Sequence, residues 1–194
     1  MENAKNIVLI CGHPDKDSFS GLFTDRYHNA AVEEGHNVHR VNIGELNFDP
    51  ILHKGYKEIQ PLEPDLVELQ EKIKWANHVV IVYPNWWCTM PAILKGLFDR
   101  FWLPGFAFNF NDETKRLEKH LKGKTGRVII LSGSYSPFKM WWRFGDYTNE
   151  IQYGIMEFAG ISTAVSAYGP CDHVDDKTRE KWMKEIDGLG KKGL

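Results

Sequence analysis

The sequence predicts a doubly wound α/β fold, a five-stranded parallel sheet with helices on both faces. Three observations carry that prediction. Continuous apolar, β-branched runs recur at NIVLIC (6–11), VVIVY (79–83), RVIIL (127–131) and STAVSAY (162–168), as expected of strands covered on both faces. A weaker run, NVHRVNI (37–43), alternates like a half-buried strand. Between the runs lie segments whose apolar residues repeat at helical spacing.

In chain order, strand 6–11 leads to helical spacing over 20–34, carried by Leu22, Phe23, Tyr27, Ala30 and Ala31. Strand 37–43 precedes a helix over 64–76 with Leu66, Leu69, Ile73 and Trp75, which opens on Pro64 and Asp65. Strand 79–83 precedes a helix over 91–103 with Ile93, Leu94, Leu97, Phe98 and Phe101. Strand 127–131 precedes a helix over 150–159 with Ile151, Ile155, Met156 and Phe158, and strand 162–168 closes the sheet. The tail GLGKKGL (188–194) is expected to fray. Five strands suit the flavodoxin-like order. Ligands of such sheets bind beyond the carboxyl ends of the strands, near the point where strand order reverses.

At 194 residues the chain suits one flavodoxin-like domain over 1–194. A net charge of −2, from 24 Lys and Arg against 26 Asp and Glu, argues against a nucleic-acid surface or a polybasic membrane patch. Cys11, Cys88 and Cys171 form no CxxC pair, so neither zinc nor a disulfide framework is indicated. The N-terminal apolar stretch is too short for a signal peptide or a membrane span. The expected compartment is the cytoplasm. No internal repeat is present.

The functional signals sit in the loops at the strand exits. GHPDKDSFSG (12–21) is neither GxGxxG nor a P-loop, yet it has the parts of an anion cradle. Gly12 permits an unusual backbone angle, Ser18 and Ser20 supply hydroxyls, and a helix starting near Phe19 or Ser20 points free N–H groups into the loop. Either serine could equally serve as a plain N-cap. After the third strand comes PNWWCTMP (84–91), a turn stiffened by Pro84 and Pro91. Trp86, Trp87 and Met90 cannot all pack beneath their own strand. The indoles read either as a wall for a flat aromatic ligand or as core and dimer filler. SGSYSPF (132–138) adds small residues that let backbone approach a ligand, plus Tyr135. One loop for an anion and two for a flat ring describe a flavin mononucleotide moiety. The aromatic stretches FWLPGFAFNF (101–110) and FKMWWRFGDY (138–147) are expected to end at a ligand or a partner.

These residues resemble the NAD(P)H:quinone oxidoreductase family of flavodoxin-like flavoenzymes over most of the chain. The resemblance is most specific at YPNWWCTMPAILKGLFDRFW (83–102). It is supported by His13 with Ser18-Phe19-Ser20, by LNFDPIL (46–52), GFAFNF (105–110) and IQYGIMEFAGI (151–161). It implies that Ser18, Phe19 and Ser20 hold flavin phosphate with His13 nearby. It implies that Pro84, Asn85, Trp86, Trp87 and Cys88 contact the ribityl chain and ring, and that Ser132, Gly133, Ser134 and Tyr135 form a second ring-binding loop. Phe108 and Phe110 would bind substrate in the other subunit's site, which implies a homodimer. Mammalian members carry a Tyr and a His that are proposed to balance charge at the reduced flavin. Phe138 and Phe144 stand in those places, so that relay is not expected here.

The cofactor expected is FMN, with FAD as the alternative, since no clear adenine-binding segment is seen. The implied reaction is a ping-pong transfer of hydride from NADH or NADPH, through the flavin, to a quinone-like acceptor. Lys139 or Arg143 would meet a 2′-phosphate. The flavin carries the chemistry and no catalytic side chain is required, with Tyr135 the one candidate; nothing beside Cys88 in sequence would activate it as a nucleophile. A flavin-bearing regulatory subunit of a membrane transporter is the rival reading. A one-electron carrier would want a strongly acidic face. A hydrolase would want G-x-S-x-G, which GSYSP (133–137) fails at its last position.

Overall fold

The computed structural model describes residues 4–145 and 147–194. The main sheet contains β1 (Asn6–Cys11), β2 (Asn37–Asn42), β3 (His78–Asn85), β6 (Thr125–Ser132) and β7 (Ser162–Tyr168), all parallel, in the order β2-β1-β3-β6-β7. This is the flavodoxin-like order, with its reversal between β1 and β3. A separate antiparallel pair joins β4 (Phe108–Phe110) to β5 (Leu117–Lys119).

Helices α1 (Phe19–Glu33) and α6 (Asp176–Lys192) cover one face of the sheet; α2 (Pro64–Trp75), α3 (Ala92–Phe101) and the segment before β7 cover the other. The central strands β1, β3 and β6 read as unbroken apolar runs because both of their faces are buried, whereas the edge strands β2 and β7 are only partly covered. Along β1, Val8 and Ile10 pack with Leu66, Leu69 and Leu97, while Ile7 and Leu9 pack with Phe23, Tyr27 and Ile186. Each such aliphatic side chain contributes about 1.5–3 kcal/mol by leaving water. Register matters at the upper edge. β3 and β6 pair from His78 opposite Thr125 to Asn85 opposite Ser132, so both strands end together.

Four expectations need correction. The tail does not fray: α6 continues to Lys192, Gly193 caps it at φ 58°, and the Leu194 amide donates to the Leu189 carbonyl at 3.0 Å. Gly190 allows α6 to approach α1 closely, because a Cβ there would lie 2.5 Å from the Tyr27 carbonyl oxygen. The first half of the 101–110 stretch is core. Phe101, Trp102 and Phe106 are buried, and the Trp102 indole N–H donates to the Ile155 carbonyl at 3.2 Å, which makes a buried indole tolerable. The helix expected over 150–159 starts as the short α5 (Asn149–Ile151) and widens into a π-helix over Gln152–Glu157. Gly12 has no positive φ; a Cβ there would meet Leu94 at 2.7 Å and Tyr83 at 3.0 Å, so packing is its reason. Two helices have no counterpart in the sequence expectations, α4 (Pro137–Phe144) and α6.

Candidate functional site

The exits of β1, β3, β6 and β7 enclose a cleft of about 600 Å³, within the usual range for small-molecule sites. From the β1 exit it is lined by His13, Ser18, Phe19 and Ser20; from β3 by Pro84, Asn85, Trp86, Trp87 and Cys88; from β6 by Ser132, Gly133, Ser134 and Tyr135. The structure therefore brings together every cofactor-binding position read from the sequence. Phe108 and Phe110 lie on β4, outside the cleft of their own chain.

The first loop is shaped by close contact and capping. Ser18 caps α1, its Oγ accepting from the Gly21 amide at 3.2 Å. As an acceptor there, the hydroxyl keeps its own proton to donate. A Cβ at Gly21 would lie 1.6 Å from the Lys16 carbonyl oxygen, so the loop folds back directly against the helix start. The first turn of α1 has no acidic residue to compete for an anion. His13 Nδ1 accepts from the Asp15 amide at 2.9 Å, and its ring meets Trp86 edge-on at 5.2 Å.

The second loop is a two-residue hairpin. Trp86 and Thr89 exchange backbone hydrogen bonds of 2.9 and 3.1 Å across Trp87 and Cys88, whose φ values are 54° and 66°. This geometry ordinarily calls for Asn-Gly. Met90 turns into the core, whereas Trp86 is 42% and Trp87 97% exposed, so neither indole caps the core. The third loop passes into α4, with Ser136 as its N-cap. It is pinned to the β7 exit: the amides of Cys171 and Asp172 donate to the carbonyls of Ser132 and Gly133 at 2.9 and 3.1 Å. Ser134 Oγ donates to Asp172 at 3.2 Å, and a Cβ at Gly133 would lie 2.7 Å from that carboxylate.

Two buried polar atoms in the lining, Asn85 Nδ2 and Ser132 Oγ, have no hydrogen-bond partner among the described residues. They belong to residues opposite one another in the β3–β6 register. Buried donors are normally satisfied, so this pair is ready for a polar ligand edge. Burial pushes the Cys171 thiol up to about 12, so it stays protonated and unreactive. Taken together, the cleft offers a helix start for an anion, two aromatic walls, and unpaired donors at its base.

Sequence reading missed Leu131, Met140, Cys171 and Asp172 as lining residues, and placed Phe144 without assigning it to the cleft. Ser136-Pro137 followed by Met140 and Phe144 is a helix start with an i, i+4 pair, which could have marked the α4 face. The β7 exit, GPCD (169–172), carries no aromatic ring or hydroxyl to mark it as part of a site. Phe138, matched with Phe144 in the resemblance, is 72% exposed and outside the lining. Among the described residues, no group of His, Cys, Asp and Glu is suited to a metal ion, and no helix is long and apolar enough to cross a membrane.

Residues 5–187 match a family described as having the flavodoxin-like fold. An uncharacterized NAD(P)H oxidoreductase of Haemophilus influenzae is 30% identical over 92% of this chain and 91% of its own length. The NAD(P)H dehydrogenase [quinone] 1 of Rattus norvegicus is 27% identical over 81% of this chain and 65% of its own. An FMN-dependent NADH-azoreductase from Bacillus anthracis, solved in complex with FMN, superposes with a TM-score of 0.72 at 19% identity, covering 96% of each chain; it speaks to the fold alone. On the family match and the bacterial relative, the chain belongs to the flavodoxin-like NAD(P)H:quinone oxidoreductase family.

Proposed function

We propose that the cleft holds FMN and that the protein uses it to reduce quinone-like acceptors at the expense of NADH or NADPH. The observation that carries this reading is the convergence of the three loops on one cleft whose base keeps Asn85 Nδ2 and Ser132 Oγ unpaired. The residues suit the group. The α1 start, with Ser18 and Ser20, would hold the phosphate; Trp86, Trp87 and Tyr135 would flank the ring; the polar atoms at Asn85 and Ser132 would meet its substituents or the ribityl chain. When bound, the flavin supplies the two-electron hydride chemistry between reductant and acceptor.

The chain's own part is to bind, orient and shield. The aromatic walls keep water from the ring, and preorganised N–H donors along Gly133–Tyr135 would favour negative charge on it. The name of the rat relative supports the quinone-like acceptor, and the lack of a clear adenine-binding segment in the sequence favours FMN over FAD. A second copy of the chain would complete the mouth of the cleft, bringing its Phe108 and Phe110, and the cytoplasm is the proposed setting. The test is direct. The purified protein should show a yellow flavin spectrum, release FMN on denaturation, and lose the yellow absorbance when NADH or NADPH is added anaerobically. A protein that takes up neither FMN nor FAD would overturn the reading.

A further inference from the structure

The segment between α4 and β7 sends one carboxylate to the back of the tryptophan hairpin. Thr89 Oγ1 donates to Glu150 Oε2 at 2.6 Å, and the Tyr83 hydroxyl donates to Oε1 at 3.4 Å. The Met90 amide acts on the same charge. Glu150 thus holds the residue just before the Pro84–Cys88 run and the two residues just after it. Between those anchors lie Trp87 and Cys88, two non-glycine residues in the left-handed region. Such conformations persist only where the surroundings over-determine them. The hairpin's own two backbone hydrogen bonds close the turn but do not fix its position against the sheet.

We propose that Glu150 is the positioning residue that holds the Trp86–Thr89 hairpin in place for flavin binding, an inference that rests on the flavin reading above. Glu150 lies outside the cleft lining, so its influence passes through Thr89, Met90 and Tyr83 rather than through contact with the cofactor. Among the described residues, Lys95 of α3 and Tyr83 of β3 are the charged and titratable groups that act on it, and Tyr147 acts in turn on Tyr83. Burial holds the Glu150 carboxyl above its ordinary value, against the opposing pull of Thr89, Met90, Tyr83 and Lys95. Tyr83, whose pKa burial lifts well above 10, remains a donor throughout. Glu150 therefore takes up its proton at a higher pH than an exposed glutamate. Once protonated, it is a weaker acceptor for Thr89 and Met90. The hairpin loosens on acidification, and flavin affinity declines with it.

The experiment uses the full chain stripped of flavin and titrated with FMN by fluorescence quenching, from about pH 8 to about pH 5. Glu150→Gln should weaken FMN binding about tenfold at the upper pH and flatten the acid decline, with Thr89→Val intermediate. In parallel, hydrogen exchange of the Trp86 and Thr89 amides is followed in flavin-free protein and should be faster in both variants. Wild-type affinity with an unchanged acid decline in Glu150→Gln would overturn the proposal. So would lowered stability with unchanged FMN affinity, the mark of a merely structural carboxylate. Should Glu150→Gln fail to fold, Thr89→Val, which removes one hydroxyl, decides by the same readouts. If wild-type protein binds no flavin, the flavin reading is lost, whereas unchanged exchange rates would separately defeat the tether.

Discussion

Cys88 adopts a φ of 66° in a position that glycine would fill without strain. The left-handed conformation costs an L-residue about 1–2 kcal/mol, and Trp87 beside it bears the same cost. Cys88→Gly removes the steric penalty but adds backbone freedom to the unfolded chain, which returns about 0.4–1 kcal/mol. The net expectation is a gain of up to about 1.5 kcal/mol, or a rise of at most about 3–6 °C in the melting temperature of flavin-free protein. The same change should weaken flavin retention, since a relaxed turn presents Trp86 and Trp87 less firmly. If thermal unfolding shows no gain while flavin binding is lost, the turn is not strained and Cys88 matters by contact. At this scale the sequence named residues that meet in one cleft, but not their shapes. Asn85, Trp86 and Ser132 were legible because ligand sites follow strand ends. The hairpin was not, because NWWCT lacks the Asn-Gly or Asp-Gly signal of a two-residue turn.

At the scale of elements, α6 shows why a helix can escape a reading based on periodicity. Its stretch DKTREKWMKEIDGLGKK is mostly charged, which hides the helix, and the two glycines near its end make 188–194 read as a fraying tail. Tertiary contact overrides that propensity. Met183 and Ile186 enter the core beside Phe23 and Tyr27, and Gly190 permits close approach to the α1 backbone. The two glycines should then respond oppositely to the same substitution. Nothing lies within 4 Å of a Cβ built at Gly188, so Gly188→Ala should stabilise by about 0.5–1 kcal/mol through helix propensity. Gly190→Ala would place its methyl 2.5 Å from the Tyr27 carbonyl oxygen, costing about 1–3 kcal/mol as the helices are forced apart. Urea unfolding of the two variants measures both. Equal effects would mean that α6 does not pack as described. The central strands β1, β3 and β6, by contrast, were legible because burial on both faces writes an apolar signal at nearly every residue.

For the whole molecule, the strand order follows from the alternation of elements and from the rarity of left-handed crossovers, so topology was more legible than the surface. What sequence alone did not divide was the aromatic content. Phe101, Trp102 and Phe106 serve the core, while Phe138, Trp141 and Trp142 stand 72%, 55% and 78% exposed on α4, whose Met140 and Phe144 line the cleft. Composition is similar in the two stretches; only packing separates them. An exposed aromatic face at the rim of a ligand site is costly to leave in water, at about 25 cal/mol per Å² of apolar surface, and such patches mark interaction sites. Covering by a second copy would shield the rim and bring a partner's aromatic side chains toward the acceptor. Sedimentation equilibrium should therefore find a dimer at low-micromolar concentration. Trp142→Glu, which places a charge on the exposed face without touching the core, should shift the protein towards monomer and lower acceptor turnover several-fold, while its flavin spectrum is retained. A wild-type chain that remains monomeric well above that concentration would remove the dimer. A monomeric Trp142→Glu protein with full turnover would show that each chain completes its own site.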